Sequence, residues 1–227
     1  MALILSIETS TTVCSVALHE EGKIKASSTF YLDKSHSTVL IPSIDTMISK
    51  AGYDKSDLVA IALSKGPGSY TGLRIGASSA KGLCFALDIP LIAVGTLAGL
   101  ARKVAPFVES DVRLCPMLDA RRMEVYTALY DPQLNMLKDV HPEIIEEDSF
   151  VTELGEGKIV FFGNGSNKCM DLLKSENATF IKGIEPSAEE IGYLAYNKFQ
   201  NNSFEDVAYF EPFYLKEFRA TVPKSRI

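Results

Sequence analysis

Of the 227 residues, 46% are hydrophobic and 23% charged, and the formal net charge is −6. That much apolar side chain supports a large core in one or two compact domains. The acidic balance excludes a protein that grips nucleic acid or acidic membranes over its whole surface, and leaves room only for a local basic patch.

The opening "MALILSIE" has no positively charged segment and meets Glu8 early, so no secretory signal is expected. Residues 2–8, 13–20 and 23–30 read as three short strands, with Glu21-Gly22 as a tight hairpin turn between the second and third. Residues 36–51 carry apolar side chains at Leu40, Ile44, Met47, Ile48 and Ala51, a helical stripe with Ser35 or Ser37 as N-cap. The nearly continuous apolar run 58–64 predicts a strand covered on both faces. A helix follows from about Tyr70 to Leu87, then a buried strand over 91–94 and a helix over 97–104 capped by Thr96. The longest apolar run, 83–101, is broken by Asp88, Pro90 and two glycines. It therefore reads as helix end, strand and helix start, and no membrane span is expected.

The second half repeats the order. Strands are predicted over 112–118, 123–131 and 136–140, then a short helix capped by Asp148, a strand over 159–163, a helix over 167–174 and a strand over 178–181. "SAEE" (187–190) reads as a capping box that opens a helix to about Phe199. Two βββαβαβα units in tandem are the signature of a duplicated RNase H-like α/β architecture, the actin, Hsp70 and sugar-kinase type, with a cleft between lobes. The lobes are expected at 1–105 and 106–227.

Cys14, Cys84, Cys115 and Cys169 are far apart and read as buried thiols of a reducing cytosol. His19, His36 and His141 are equally scattered, so no metal site is expected. In this architecture a nucleotide's phosphates sit between two hairpin turns, where glycines let backbone amides approach. The first hairpin offers Glu8, Thr9, Ser10, Thr11 and Thr12, and no glycine. The second offers Asp119, with Arg121 and Arg122 filling the turn. Gly163 and Gly165 stand where an adenosine-binding pair would lie. These read as ordinary polar turns rather than a working phosphate clamp.

"SKGPGSYTGLRIG" (64–76) matches neither GxxxxGK[ST] nor GxGxxG, and reads as a tight turn with Ser69 or Thr71 capping the next helix. That helix repeats Gly72, Gly76 and Ala80 at four-residue spacing with Ser79 beside them. Interior glycine costs about 1 kcal/mol relative to alanine, so tight packing must offset it. The packing is against the chain's own sheet or a partner's helix. On the helix at 36–51, which Pro42 bends near its start, Val39 and Ile41 lie outside the core stripe. Two neighbouring helices with such surplus surface suggest a docking face, with Val39, Ile41, Ile44, Ile48, Gly72, Arg74, Gly76, Ser79 and Ala80 as its candidate residues. Lys216, Arg219, Lys224 and Arg226 make the end of the chain basic, either a solvated tail or a contact with phosphates or an acidic surface.

"ILSIETSTTVCSVAL", "HSTVLIPSID", "GPGSYTGLRIGASSAKGL", "DARRMEVYTALY" and "EPFYLK", in this order and spacing, closely resemble the bacterial TsaB family, also called YeaZ. The likeness spans essentially the whole chain, is most specific at GPGSYTGLRIG and loosest in the last third. Glu8 stands where an aspartate is more usual. The resemblance implies a duplicated actin-like fold and a cytoplasmic, non-catalytic subunit in threonylcarbamoyladenosine synthesis on tRNA. It implies pairing with TsaD, which carries metal and transferase chemistry, and with the P-loop ATPase TsaE. It also implies a homodimer through the helical face when alone, tRNA met only through the complex, and no DNA or membrane partner. No cofactor of its own follows, and ATP or ADP only at a subunit interface. From the residues alone, a sugar-kinase-type phosphotransferase and a peptidase-like protein remain the competing readings. Neither hairpin has the glycine the first would need, and no paired histidines or Ser/His/Asp spacing supports the second.

Overall fold

The computed structural model of the chain describes residues 2–32 and 35–216. The first half runs β1 (Leu3–Glu8), β2 (Cys14–Glu20), β3 (Lys23–Phe30), α1 (His36–Lys50), β4 (Leu58–Gly66), α2 (Tyr70–Leu87), β5 (Leu91–Gly95) and α3 (Thr96–Val104). The second runs β6 (Arg113–Asp119), β7 (Glu124–Tyr130), β8 (Met136–Ile144), α4 (Val151–Glu156), β9 (Ile159–Phe162), β10 (Ala178–Ile181) and α5 (Ala188–Gln200). The first sheet has order β3-β2-β1-β4-β5, and the second, read from its other edge, has the equivalent order β8-β7-β6-β9-β10. In each, two antiparallel pairings lead into two parallel ones. The fold is a duplicated RNase H-like α/β architecture, as the repeated element order requires.

β1 is buried along its whole length because helices cover both faces of the first sheet. On one face α1 and α2 pack Leu40, Ile44, Met47, Ile48, Ala77 and Ala80 against Leu3, Leu5, Ile7 and Leu63. On the other, α5 brings Ile191 and Ala195 onto Ile4, Ala60, Ala62, Ile92 and Val94. In exchange α3, made by the first half, packs Leu97, Leu100, Ala101 and Val104 against Leu114, Leu118 and Phe162 of the second sheet. A division of the chain at 105/106 therefore separates the two sheets but not their covering helices.

Several local expectations are corrected. Residues 167–174 form only a 3-10 turn, Asn167–Cys169, followed by a hydrogen-bonded turn. Ser166 Oγ donates to the Gly163 carbonyl and Cys169 Sγ to that of Gly165, local side-chain bonds that hold the stretch in turns instead of a continued helix. α4 starts at Val151 with Phe150, not Asp148, in the N-cap position; Asp148 contributes its main-chain carbonyl. Thr96 is the first residue of α3 and Gly95 takes the cap position. The capping box at Ser187 does not form. Ser15 Oγ of β2 accepts the Ala188 amide at 3.2 Å instead, so the end of α5 is capped from the opposite half of the chain. Ser35 does occupy the N-cap of α1, but its hydroxyl donates back to the Leu32 carbonyl.

α5 lies directly over His19, which is fully buried on β2. Only Gly192 permits this approach, since a Cβ there would overlap the imidazole. Neither ring nitrogen has a hydrogen-bond partner among the described residues, and the Tyr193 ring meets the imidazole edge-on at 5.0 Å. Burial pushes the His19 pKa down to about 4, against the opposing pull of Glu189. The folded chain thus resists protonation that the unfolded chain accepts from about pH 6.5 downward. Stability is intact above that pH and falls by up to about 3 kcal/mol as pH drops toward 4. Glu185 and Glu190, whose carboxyls burial raises, act in the opposite sense, so the comparison needs a variant. Denaturant melts from pH 7.5 to 4.5 should show a shallower acid-side fall in His19→Gln than in the parent chain; equal slopes would assign the fall to other groups.

Candidate functional site

The β1–β2 turn is the first place where this architecture would present amides to a phosphate. Glu8, at the end of β1, is fully buried, and its Oε1 accepts the Ser10 amide at 2.6 Å and the Ser64 hydroxyl at 2.8 Å. Burial raises the Glu8 carboxyl's pKa, against the lowering effect of these bonds. Thr11 Oγ1 accepts the Val13 amide at 3.2 Å. The turn therefore closes on its own side chains.

α2 then seals it from below. Ser69 occupies the N-cap, its Oγ accepting the Gly72 amide at 3.3 Å, and its own amide donates to the Ser10 carbonyl at 2.6 Å. A Cβ on Gly72 would overlap the Thr9 carbonyl oxygen, and one on Gly76 would overlap Thr9 Oγ1. Gly72, Gly76 and Ala80 are buried here and are not a docking surface: the small-residue stripe is where α2 fits its own hairpin and sheet. Ile44 and Ile48 are likewise core residues, at 0% and 3% exposure.

Four of the nine docking candidates reach the surface. Ile41 is exposed, Val39 and Ser79 are half-buried, and Arg74 is exposed, donating from Nη1 to Tyr70 Oη at 3.0 Å. Tyr70 in turn packs on Tyr214 with ring centroids 4.9 Å apart. Sequence periodicity missed a second stripe on the outer side of α2. Ser78, Gly82 and Ala86 are exposed at four-residue spacing beside Phe85, which is 86% exposed, and nothing lies within 4 Å of a Cβ built on Gly82. Gly82, a glycine in the interior of a helix, was the one sequence signal that could have shown it.

The β6–β7 turn is also closed. Asp119 Oδ1 accepts the Arg121 amide at 3.0 Å, and its carboxylate pairs with Lys168. Lys168 Nζ also donates to the Glu124 carbonyl at 2.7 Å, and Lys216 pairs with the Glu124 carboxylate. Gly163 and Gly165 bring their loop onto the end of β6: a Cβ on Gly165 would stand 2.7 Å from the Leu118 carbonyl carbon. Asn164 Oδ1 accepts the Asp119 amide at 2.9 Å. Of the basic end, Lys216 is placed, while Arg219, Lys224 and Arg226 lie outside the described residues.

Tested as a nucleotide site, these residues do not fit. The Ser10 and Val13 amides of the first turn are taken by Glu8 and Thr11 and the Arg121 amide of the second by Asp119, whose carboxylate pairs with Lys168. Among the described residues no group of three or more His, Cys, Asp or Glu side chains is placed to hold a metal ion. The four cysteines are free and buried, with burial raising every thiol to about 11 or 12. No helix among the described residues is long and apolar enough to cross a membrane.

The fold is that of the actin-like class, with both of its hairpin turns hydrogen-bonded to the chain's own side chains. The activator of 2-hydroxyisocaproyl-CoA dehydratase from Clostridium difficile, at TM-score 0.53 and 11% identity, covers 97% of its own length and 88% of this chain and shares the fold alone. YeaZ from Pseudomonas aeruginosa superimposes at TM-score 0.83 with 27% identity, over 95% of this chain and all of that one. A family model described as TsaD, tRNA N6-adenosine threonylcarbamoyltransferase, matches residues 31–223. The tRNA threonylcarbamoyladenosine biosynthesis protein TsaB of Escherichia coli is 32% identical over 223 residues, 94% of each chain. Its Bacillus subtilis namesake is 40% identical over 140 residues, 62% of this chain and 60% of that one. The chain belongs to the TsaB family.

Proposed function

We propose that the protein is a non-catalytic, activating subunit of the machinery that makes threonylcarbamoyladenosine in tRNA. One observation carries the reading: both phosphate turns are closed by the chain's own side chains, while the outer faces of α1 and α2 keep apolar and small residues uncovered. Such a chain acts by holding a partner in its competent state through contacts that differ between that partner's states. The partner is the paralogue TsaD, with TsaE joining the pair. A second copy of this chain takes the same helical face when TsaD is absent. An adenine nucleotide, if one is engaged, lodges at the subunit interface rather than within this chain, and tRNA modification places the assembly in the cytoplasm.

The competing phosphotransferase reading needs turnover. The isolated protein should hydrolyse ATP no faster than a Glu8→Ala/Asp119→Ala double variant, in a phosphate-release assay. Turnover that the double variant abolished would overturn the scaffold reading.

A further inference from the structure

Arg121 and Arg122 sit side by side at the tip of the β6–β7 hairpin, both with left-handed backbone, φ 74° and 50°. That region favours glycine or asparagine, and two consecutive residues with long side chains there work against the local preference. Strain of this kind persists where the side chains have a task. Both arginines are exposed, and among the described residues neither guanidinium makes an ion pair or a hydrogen bond. The nearby acids do not cancel them, because Asp119 is committed to Lys168 and Glu124 to Lys216. The tip is held stiffly: Ala120 N donates to the Glu124 carbonyl at 3.0 Å, and Glu124 N to the Arg121 carbonyl at 3.1 Å. Tyr126, on the strand that leaves the tip, is half-buried and packs onto the second core, which anchors the base of the hairpin.

We propose that this tip binds the phosphate backbone of RNA directly, with Arg121 and Arg122 as the contacts. The inference rests on the reading of the protein as a tRNA-modification subunit and adds a contact of this chain's own. Two guanidinium groups without carboxylate partners present planar donor forks that phosphate oxygens accept, and phosphate is what a subunit of a tRNA-modification assembly meets on its substrate. On a chain of net charge −6 the contact is confined to this tip, so its salt dependence is small and countable.

The test uses an unmodified tRNA transcript, with the full chain alone and mixed with TsaD and TsaE, and anisotropy read across a salt series. Arg121→Gln/Arg122→Gln should weaken binding roughly tenfold near 0.1 M salt and flatten the log–log salt slope by about 1 to 2. Arg121→Lys/Arg122→Lys should keep the slope. Arg121→Gly/Arg122→Gly should melt about 2–4 °C higher while losing the RNA, the mark of side chains kept against the turn's own preference. Unchanged affinity and slope in the Gln variant would overturn the proposal. So would loss of TsaD pairing with RNA affinity intact, which would make the tip a protein contact. Arginine-dependent RNA binding by a chain that does not pair with TsaD would uphold this contact while removing the functional reading above.

Discussion

Gly72→Val should leave the chain unable to fold to its native state, and Gly72→Ala should already cost about 3 kcal/mol or more, at the upper end of overpacking penalties. The first side-chain carbon at this position overlaps the carbonyl oxygen of Thr9, a main-chain atom of a turn that Glu8 and Ser69 hold in place. Neither partner can rotate away. At Gly76 the obstacle is the Thr9 hydroxyl, a side-chain atom, so Gly76→Ala should cost less than Gly72→Ala. Gly82 is open on every side, and Gly82→Ala should stabilise the chain by about 0.5–1 kcal/mol through helix propensity alone. Three glycines of one helix thus give three different responses in urea melts. A Gly72→Ala protein as stable as its parent would contradict the packing of α2 on the first turn.

Gly82→Glu tests the outer face of the same helix. The position is exposed, so the isolated chain should melt within about 2 °C of its parent, as surface substitutions generally do. If TsaD or a second copy docks there, the new carboxylate would be buried unpaired in a helix contact. Affinity should then fall by about 100-fold or more. Phe85→Ala, which removes the helix's single phenylalanine, should cost roughly 30-fold by the same reasoning. Co-purification and sedimentation velocity read both variants, and undiminished pairing would move the docking surface elsewhere.

Element order was legible because it rests on periodicity: β4 and β5 read as buried runs, α1 as a stripe at Leu40, Ile44, Met47 and Ile48, and the two halves as repeats of one another. What covers each face was not. The spacing of Gly72, Gly76 and Ala80 says that something comes close to α2, but a helix period carries no information on which neighbour does. The neighbour is Thr9, 63 residues upstream of Gly72. The exchange of α3 and α5 between sheets, and the capping of α5 by Ser15, are likewise products of tertiary contact. Arg121 and Arg122 were visible only as missing glycines. Their left-handed backbone is imposed by the hairpin against their own preference, and no local rule would assign it.

On the proposed reading the chain works through the outer face of α1 and α2 and not through its two hairpin turns. The most direct measurement is mass spectrometry of nucleosides from digested tRNA, in a strain depleted of the protein and complemented with single variants while TsaD is still present. Threonylcarbamoyladenosine should vanish on depletion, return with Glu8→Gln and with Asp119→Asn, and stay absent with Gly82→Glu. Recovery with Gly82→Glu, together with failure of both hairpin variants, would place the activity in the cleft and contradict the account.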